Sequence, residues 1–228
     1  FFHEARRVLP ASELNALFAQ MKNHAKLLAS DSFYTEKHNH GMFQDDALIV
    51  FGYYFDKMDE SVRYRELAEQ RLAAYFDYIV SNDGVHLEHS PGYGQLVANT
   101  MLKYTRFYES LTGTPFANEQ ARHVFAEKYR AMANYGTHVI KPDGTFPLLG
   151  DTFVKDVPIA SLWTDDPGYQ YAVSAGARGV APQKTNVVFP DAGYAIFRDS
   201  LENKEQGTYI HFTASYHSKS HQHADDLS

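Results

Sequence analysis

Four short stretches concentrate side chains that carry charge or protons without an evident packing role. In HNHGMFQDDAL, Asn39 and His40 stand where an apolar-periodic run begins. They therefore lie at the mouth of a helix, beside backbone N–H groups that lack partners and carry partial positive charge. That is a place for a carboxylate; the alternative is that Asn39 only caps the helix and His40 is an exposed first-turn residue. In EHSPGYG, Ser90 and Pro91 mark a helix start and put Tyr93 in its first turn. A phenol held there can exchange a proton with a bound molecule, or simply fill the core. Glu88, just upstream, orients a neighbouring imidazole or Tyr93, or solvates a loop. In TFPLLGDT, Asp151 sits in a tight Gly-Asp turn, facing a cleft or, more simply, stabilising the turn. In HQHADD, His221 and His223 are two apart, so in a strand both project to one side, toward one cleft or one metal ion.

The elements that must position these residues change character along the chain. Helical spacing governs the first part. Leu14, Leu17, Phe18, Met21, Ala25 and Leu28 form one stripe, with Ser12 placed to cap it. A second helix is expected over 41–55 with Phe43, Ala47, Val50, Phe51 and Tyr54, and a third over 61–80 with Leu67, Leu72, Tyr75, Phe76 and Ile79 inward. A fourth runs from Ser90 as cap to Gly113 through Leu96, Met101, Tyr104, Tyr108 and Leu111, and a fifth over 118–138. Short breakers between them imply antiparallel helical hairpins. A short helix or two is expected within 159–175, and 177–183 reads as a linker. The period then changes to two in NVVFP, GYAIFRDS and TYIHFTASYHS, with LENKEQG as a hairpin loop. Three strands do not make a stable two-layer sheet alone, so the sequence reads as interrupted inside a β domain.

Composition narrows the class. The chain has 228 residues, 21 Lys and Arg against 28 Asp and Glu, and no cysteine. The scattered basic residues leave no footprint for a nucleic-acid backbone, and no apolar run reaches the roughly 20 residues of a membrane span. Disulfides and Cys-ligated zinc are excluded, and the redox compartment is left open. No signal peptide is visible; the abrupt FFHEARRVLP reads as a cut in a longer chain. Sixteen Tyr, sixteen Phe and twelve His suit a cleft where rings stack and imidazoles handle protons, although helix interfaces account for most of the rings.

Taken in order, NHG at 39–41, EHSPGY at 88–93, PLLGD at 147–151, FPDAGYAIFRDS at 189–200 and HQHADDLS at the end resemble the heparinase II/III-like polysaccharide lyases. The resemblance implies an α+β, two-domain protein: an incomplete (α/α) toroid over 1–180, then an antiparallel β-sandwich that starts at 186 and is truncated in this chain. It implies β-elimination on a uronate-containing polysaccharide, giving 4,5-unsaturated uronate ends, in a periplasmic or secreted setting. The partner is then an acidic polysaccharide. Asn39 and His40 would neutralise the substrate carboxylate. Tyr93 would donate a proton to the leaving oxygen and, in a syn geometry, also abstract the C5 proton; His221 is the other candidate base. Glu88 and Asp151 would support the site. His223 would bind a structural zinc ion whose other ligands lie beyond Ser228.

The sequence departs from the pattern where relatives often carry a histidine after the motif tyrosine and this chain has Gly94. Other classes compete. A metal-dependent hydrolase could be built on His221 and His223, but Asp226 stands where a metallo-β-lactamase-like site expects a histidine, and that fold starts with strands. A glycoside hydrolase would need two carboxylates across a cleft, for which only Glu88 and Asp151 offer themselves. A non-catalytic polysaccharide-binding protein is the third.

Overall fold

The computed structural model describes residues 2–113, 119–200 and 207–215. The elements are α1 (Phe2–Ala5), α2 (Ala11–Ala29), α3 (Asn39–Tyr54), α4 (Asp59–Ile79), α5 (Pro91–Thr112), α6 (Glu119–Val139), α7 (Pro167–Val173), β1 (Val187–Phe189), β2 (Tyr194–Arg198) and β3 (Tyr209–Thr213). The chain divides into two compact units, one up to Tyr75 and one from Phe76. Among the described residues no helix is long and apolar enough to cross a membrane. The expected order of helices first and an antiparallel sheet after them is what the molecule adopts.

In the first unit α2 packs against α3. The start of α2 differs from expectation: Pro10 occupies the cap position without a side-chain hydrogen bond, and Ser12 lies inside the helix. Proline's fixed φ already suits the entry to a helix, so no hydroxyl cap is used there. The buried face of α3 also differs. Met42, Asp45, Leu48, Ile49 and Phe51 are buried, whereas Phe43 and Tyr54 are exposed. A close backbone approach sets that face: a Cβ on Gly41 would stand 2.2 Å from the Thr35 carbonyl oxygen. Only glycine lets the 30–38 loop lie so near the first turn of α3.

In the second unit α5 packs on α6, and α6 on α7. Met101, Tyr104 and Tyr108 of α5 are buried with Phe125, Met132 and Val139 of α6. α5 begins and ends as its sequence dictates, with Ser90 as the cap accepting from Tyr93 N–H, Pro91 at the first helical position and Gly113 left-handed at the end. Between α4 and α5 the chain makes a tight turn bridged at Val80 and His86. Lys128, buried on α6, holds that turn by donating to the Val80 carbonyl at 2.7 Å and to Asn82 Oδ1 at 3.1 Å.

The three strands pair antiparallel in the order β1-β2-β3, with Val188 opposite Ala195 and Ile196 opposite His211. Two strand donors fix the sheet to the end of α6. Arg198 donates to the carbonyls of His138 and Ile140, and Tyr209 Oη donates to the Val139 carbonyl at 2.9 Å. Carbonyls in the last turn of a helix lack intrahelical partners and carry partial negative charge, so a guanidinium and a phenol satisfy them. Consequently Arg198 and Thr213 are buried, while Val188, Phe197, Ile210 and Phe212 are exposed. The apolar set of β3 therefore faces away from the polar tethers.

Candidate active site

The EHSPGY segment is held in the second unit by hydroxyl chemistry. Ser90 Oγ accepts from Tyr93 N–H at 3.2 Å and lies 2.9 Å from Thr152 Oγ1, which also accepts from Gly92 N–H at 3.2 Å. Ser90 and Thr152 are both buried. The first turn of α5, and Tyr93 with it, is thus clamped by the turn that carries Asp151. Gly150 makes this approach possible, because a Cβ there would lie 2.8 Å from the His89 carbonyl oxygen, and its φ of +50° is left-handed. Asp156 closes the same turn by accepting from Phe153 N–H at 2.8 Å.

Tyr93 is half-buried. Its phenol is pushed above the ordinary tyrosine range by burial first, then by the charges of Asp151, Glu88 and Asp156. Loss of its proton would place a phenolate among carboxylates out of full contact with water. The group therefore keeps its proton and is suited to donate it. The structure thus brings together Tyr93, Glu88 and Asp151.

Asn39 and His40 occupy the first turn of α3, in the first unit. The residue that caps this helix is His38, whose Nδ1 accepts from His40 N–H at 3.2 Å, so Asn39 is not the cap. The two imidazoles meet edge to face with centroids 4.6 Å apart. Asn39 Oδ1 is buried and accepts no hydrogen bond from the described residues. The preceding loop is pinned to α3 by Gln44, which accepts from Thr35 N–H at 3.0 Å and donates to the Phe33 carbonyl at 3.3 Å. Deeper in this unit Tyr34 Oη donates to buried Asp45 at 3.1 Å. Burial raises the Asp45 carboxyl to about 7, against the lowering effects of Tyr34 and Arg71.

His221 and His223 lie outside the described residues. No group of three or more His, Asp or Glu able to hold a metal ion occurs among the described residues.

Reading residue types alone misses a second polar run beside the clamp. His89 has a left-handed φ of 55°, a conformation that costs a non-glycine residue of order 1 kcal/mol or more. Its Nδ1 meets Tyr194 Oη of β2 at 2.7 Å. The Tyr194 ring packs edge-on against His211 of β3, centroids 4.6 Å apart. Burial lowers the His211 imidazole to about 4, so it is neutral at pH 7. The one available signal was period two in the strands: Tyr194 and His211 sit on paired strands, yet nothing in their types tells which face turns inward. Gly94 too has a structural setting, since a Cβ there would stand 3.2 Å from Cβ of buried His86.

Solved structures of similar fold include the Heparinase III-BT4657 gene product, at 19% identity and a TM-score of 0.70. That match covers 94% of this chain and 34% of the other. A heparan sulfate lyase, HepC from Pedobacter heparinus, matches at 20% identity and a TM-score of 0.67, covering 95% of this chain and 33% of that one. A further heparinase III structure gives 16% identity and a TM-score of 0.73, with 94% and 36% covered. The chain spans about a third of the length of these proteins. No curated protein matches the sequence. The family model for the heparinase II/III N-terminus matches residues 1–163, more than half of the chain, which therefore belongs to the heparinase II/III family.

Proposed function

We propose that this chain is part of a polysaccharide lyase that cleaves a uronate-containing polymer by β-elimination. In that reaction a base takes the C5 proton, the C4–O glycosidic bond breaks, a C4–C5 double bond forms and the leaving oxygen takes up a proton. The observation that carries the reading is Tyr93: a clamped, half-buried phenol that burial, Asp151, Glu88 and Asp156 keep protonated. Such a group suits donation to the leaving oxygen better than abstraction at C5, which points to His221 as the base. Glu88 and Asp151 act by holding that proton on Tyr93.

The C5 proton is poorly acidic while the neighbouring carboxylate is charged, so the enzyme must neutralise the carboxylate and the negative charge that develops on it. Donors in comparable oxyanion sites contribute about 3 to 4 kcal/mol each. Asn39 and His40, at the start of α3, are assigned to that task; their place at the helix N-terminus supports it.

The helical region is proposed to form part of an (α/α) toroid, and the three strands to open an antiparallel β-sandwich. A structural zinc ion on His223 belongs to the same proposal, as does a periplasmic or secreted location; no step of the reaction runs through the metal.

The test is a panel of uronate polymers offered to the full-length protein and followed in the ultraviolet. At least one should yield unsaturated uronate ends, and its carboxyl-reduced form none. Reducing ends without ultraviolet absorbance would mean hydrolysis, binding without product a non-catalytic protein, and equal cleavage of the reduced polymer would remove the role given to Asn39 and His40.

A further inference from the structure

A cavity of about 630 Å³ opens between α5, α6 and the 163–167 segment, within the second unit. Its size falls in the range of small-ligand sites. It is far from Tyr93: Arg106 on its wall is thirteen residues further along α5, about 20 Å at the helical rise. No catalytic role assigned above involves it.

Two features give the cavity a chemistry. The first is an aromatic floor. Phe125 and Tyr129 stack with planes 10° apart and centroids at 5.8 Å, and Tyr129 meets Trp163 at 5.2 Å. Trp163 Nε1 donates to the Tyr129 carbonyl at 2.9 Å, which fixes the floor to α6. The second is a basic wall. Arg106, Arg122 and Arg130 all line the cavity, and among the described residues none of them forms an ion pair. Arg106 also favours the ionised form of the Tyr129 phenol, although burial dominates and raises that group to about 12.

Two carboxylates at the rim, Asp165 and Asp166, offset part of this wall and leave three guanidinium groups against two carboxylates. Asp166 is engaged as the cap of α7, accepting from Tyr169 N–H at 2.8 Å, and Asp165 accepts from Thr164 Oγ1 at 2.8 Å. One polar atom remains unused: Arg122 Nε is buried with no hydrogen-bond partner among the described residues. Buried polar groups normally have partners, so a guanidinium donor left over beside a cavity marks a place for a bound acceptor. In a chain of net charge −7, three guanidinium groups against two carboxylates give the cavity lining a small net positive charge.

We propose that this cavity is an accessory site for an anionic sugar of the polymer substrate. The apolar face of a pyranose ring lies on Tyr129 above the aromatic floor, while its carboxylate or sulfate is held by Arg106, Arg122 and Arg130 in paired N–H···O contacts. The site would hold the polymer at a distance from the elimination chemistry, raising its local concentration for successive cuts. The assignment of polymer rests on the lyase reading above; the cavity's preference for an anionic ring does not.

The test is binding of heparan sulfate, alginate and hyaluronan to the full-length protein by calorimetry at several salt concentrations, compared with Arg106→Ala/Arg122→Ala and with Tyr129→Ala. Arg106 is exposed and Arg122 half-buried, so circular dichroism of the double variant should match the parent. For at least one polymer the double variant should bind about 10-fold or more weakly, with a shallower dependence of log Kd on log salt because fewer counterions are released. Binding should also perturb tryptophan fluorescence, a signal that Trp163→Phe removes. Equal affinity and equal salt slope in parent and double variant would overturn the site, as would a parent that binds none of the three. Arginine-dependent binding without any unsaturated product would leave the site standing and remove the lyase reading; product formation with unchanged binding would do the reverse.

Discussion

His89 Nδ1 and Tyr194 Oη lie 2.7 Å apart, although 105 residues of chain separate them. The contact joins the turn before α5 to the middle strand of the sheet, and it holds His89 in its left-handed conformation. Tyr194→Phe keeps the ring against His211 and Tyr135 and removes only the hydroxyl. The expected cost is about 1 to 2 kcal/mol, the range for a lost hydrogen bond that leaves a partly buried partner unsatisfied. Thermal unfolding should shift downward by a few degrees. An unchanged midpoint would show that the contact does not hold the two elements together.

The clamp at α5 predicts coupling between Ser90 and Thr152. Ser90→Ala removes the helix cap and should destabilise by about 1 kcal/mol. Thr152→Val keeps the shape and removes the acceptor for Gly92 N–H. Because the two hydroxyls share one hydrogen bond, the double variant should lose less than the sum of the single losses. Strict additivity in denaturant unfolding would rule the clamp out.

The legible parts of the molecule were those in which one residue type has a single structural use. Ser90 and Pro91 announced the start of α5 and Gly113 its end, and period two announced the strands. The inward face of α3 was not legible, because Gly41 sets it through a backbone contact with a loop, and hydrophobicity alone favoured Phe43 and Tyr54. The inward face of β3 was not legible for a related reason. Its alternation left open which set turns inward; Tyr209 of β3 and Arg198 of β2 do so, donating to the last carbonyls of α6. In the candidate site Tyr93 and Asp151 stood out by type, whereas Thr152 and His89 act through neighbours distant in sequence and gave no local signal.

The two units should respond to pH in opposite directions. Asp45 has a folded pKa of about 7 against 3.8 for the free group. The folded form therefore holds the extra proton between those values, and stability of the first unit should fall as pH rises from about 4 to about 7. His138 and His211 are lowered to about 4 from 6.5, by burial in both cases and additionally by Arg198 for His138. Here the unfolded form holds the extra protons, so stability of the second unit should be full above pH 6.5 and fall as pH drops toward 4. Hydrogen exchange resolved by segment, measured between pH 4.5 and 7.5, reads both slopes. Asp45→Asn should flatten the first and leave the second; parallel slopes in the two units would contradict both assignments.

Asn39 and His40 predict a charge-specific defect in the full-length protein. Asn39→Ala should lower turnover of the native polymer by roughly 100-fold, the effect of a lost donor to developing negative charge. Binding of the same polymer should change much less, since the charge to be held is largest in the transition state. A loss confined to KM would assign Asn39 to ground-state binding instead.

The central claim, that Tyr93 delivers the proton to the leaving oxygen, is tested most directly by single-turnover ultraviolet kinetics of Tyr93→Phe in the full-length protein, on whichever uronate polymer the parent cleaves. The substitution removes one oxygen from a half-buried ring in the first turn, while Ser90 still caps α5 through the Tyr93 backbone N–H. The account predicts substrate binding within a few-fold of the parent and an elimination rate lower by about 100-fold or more. Near-normal elimination by a folded Tyr93→Phe would contradict it.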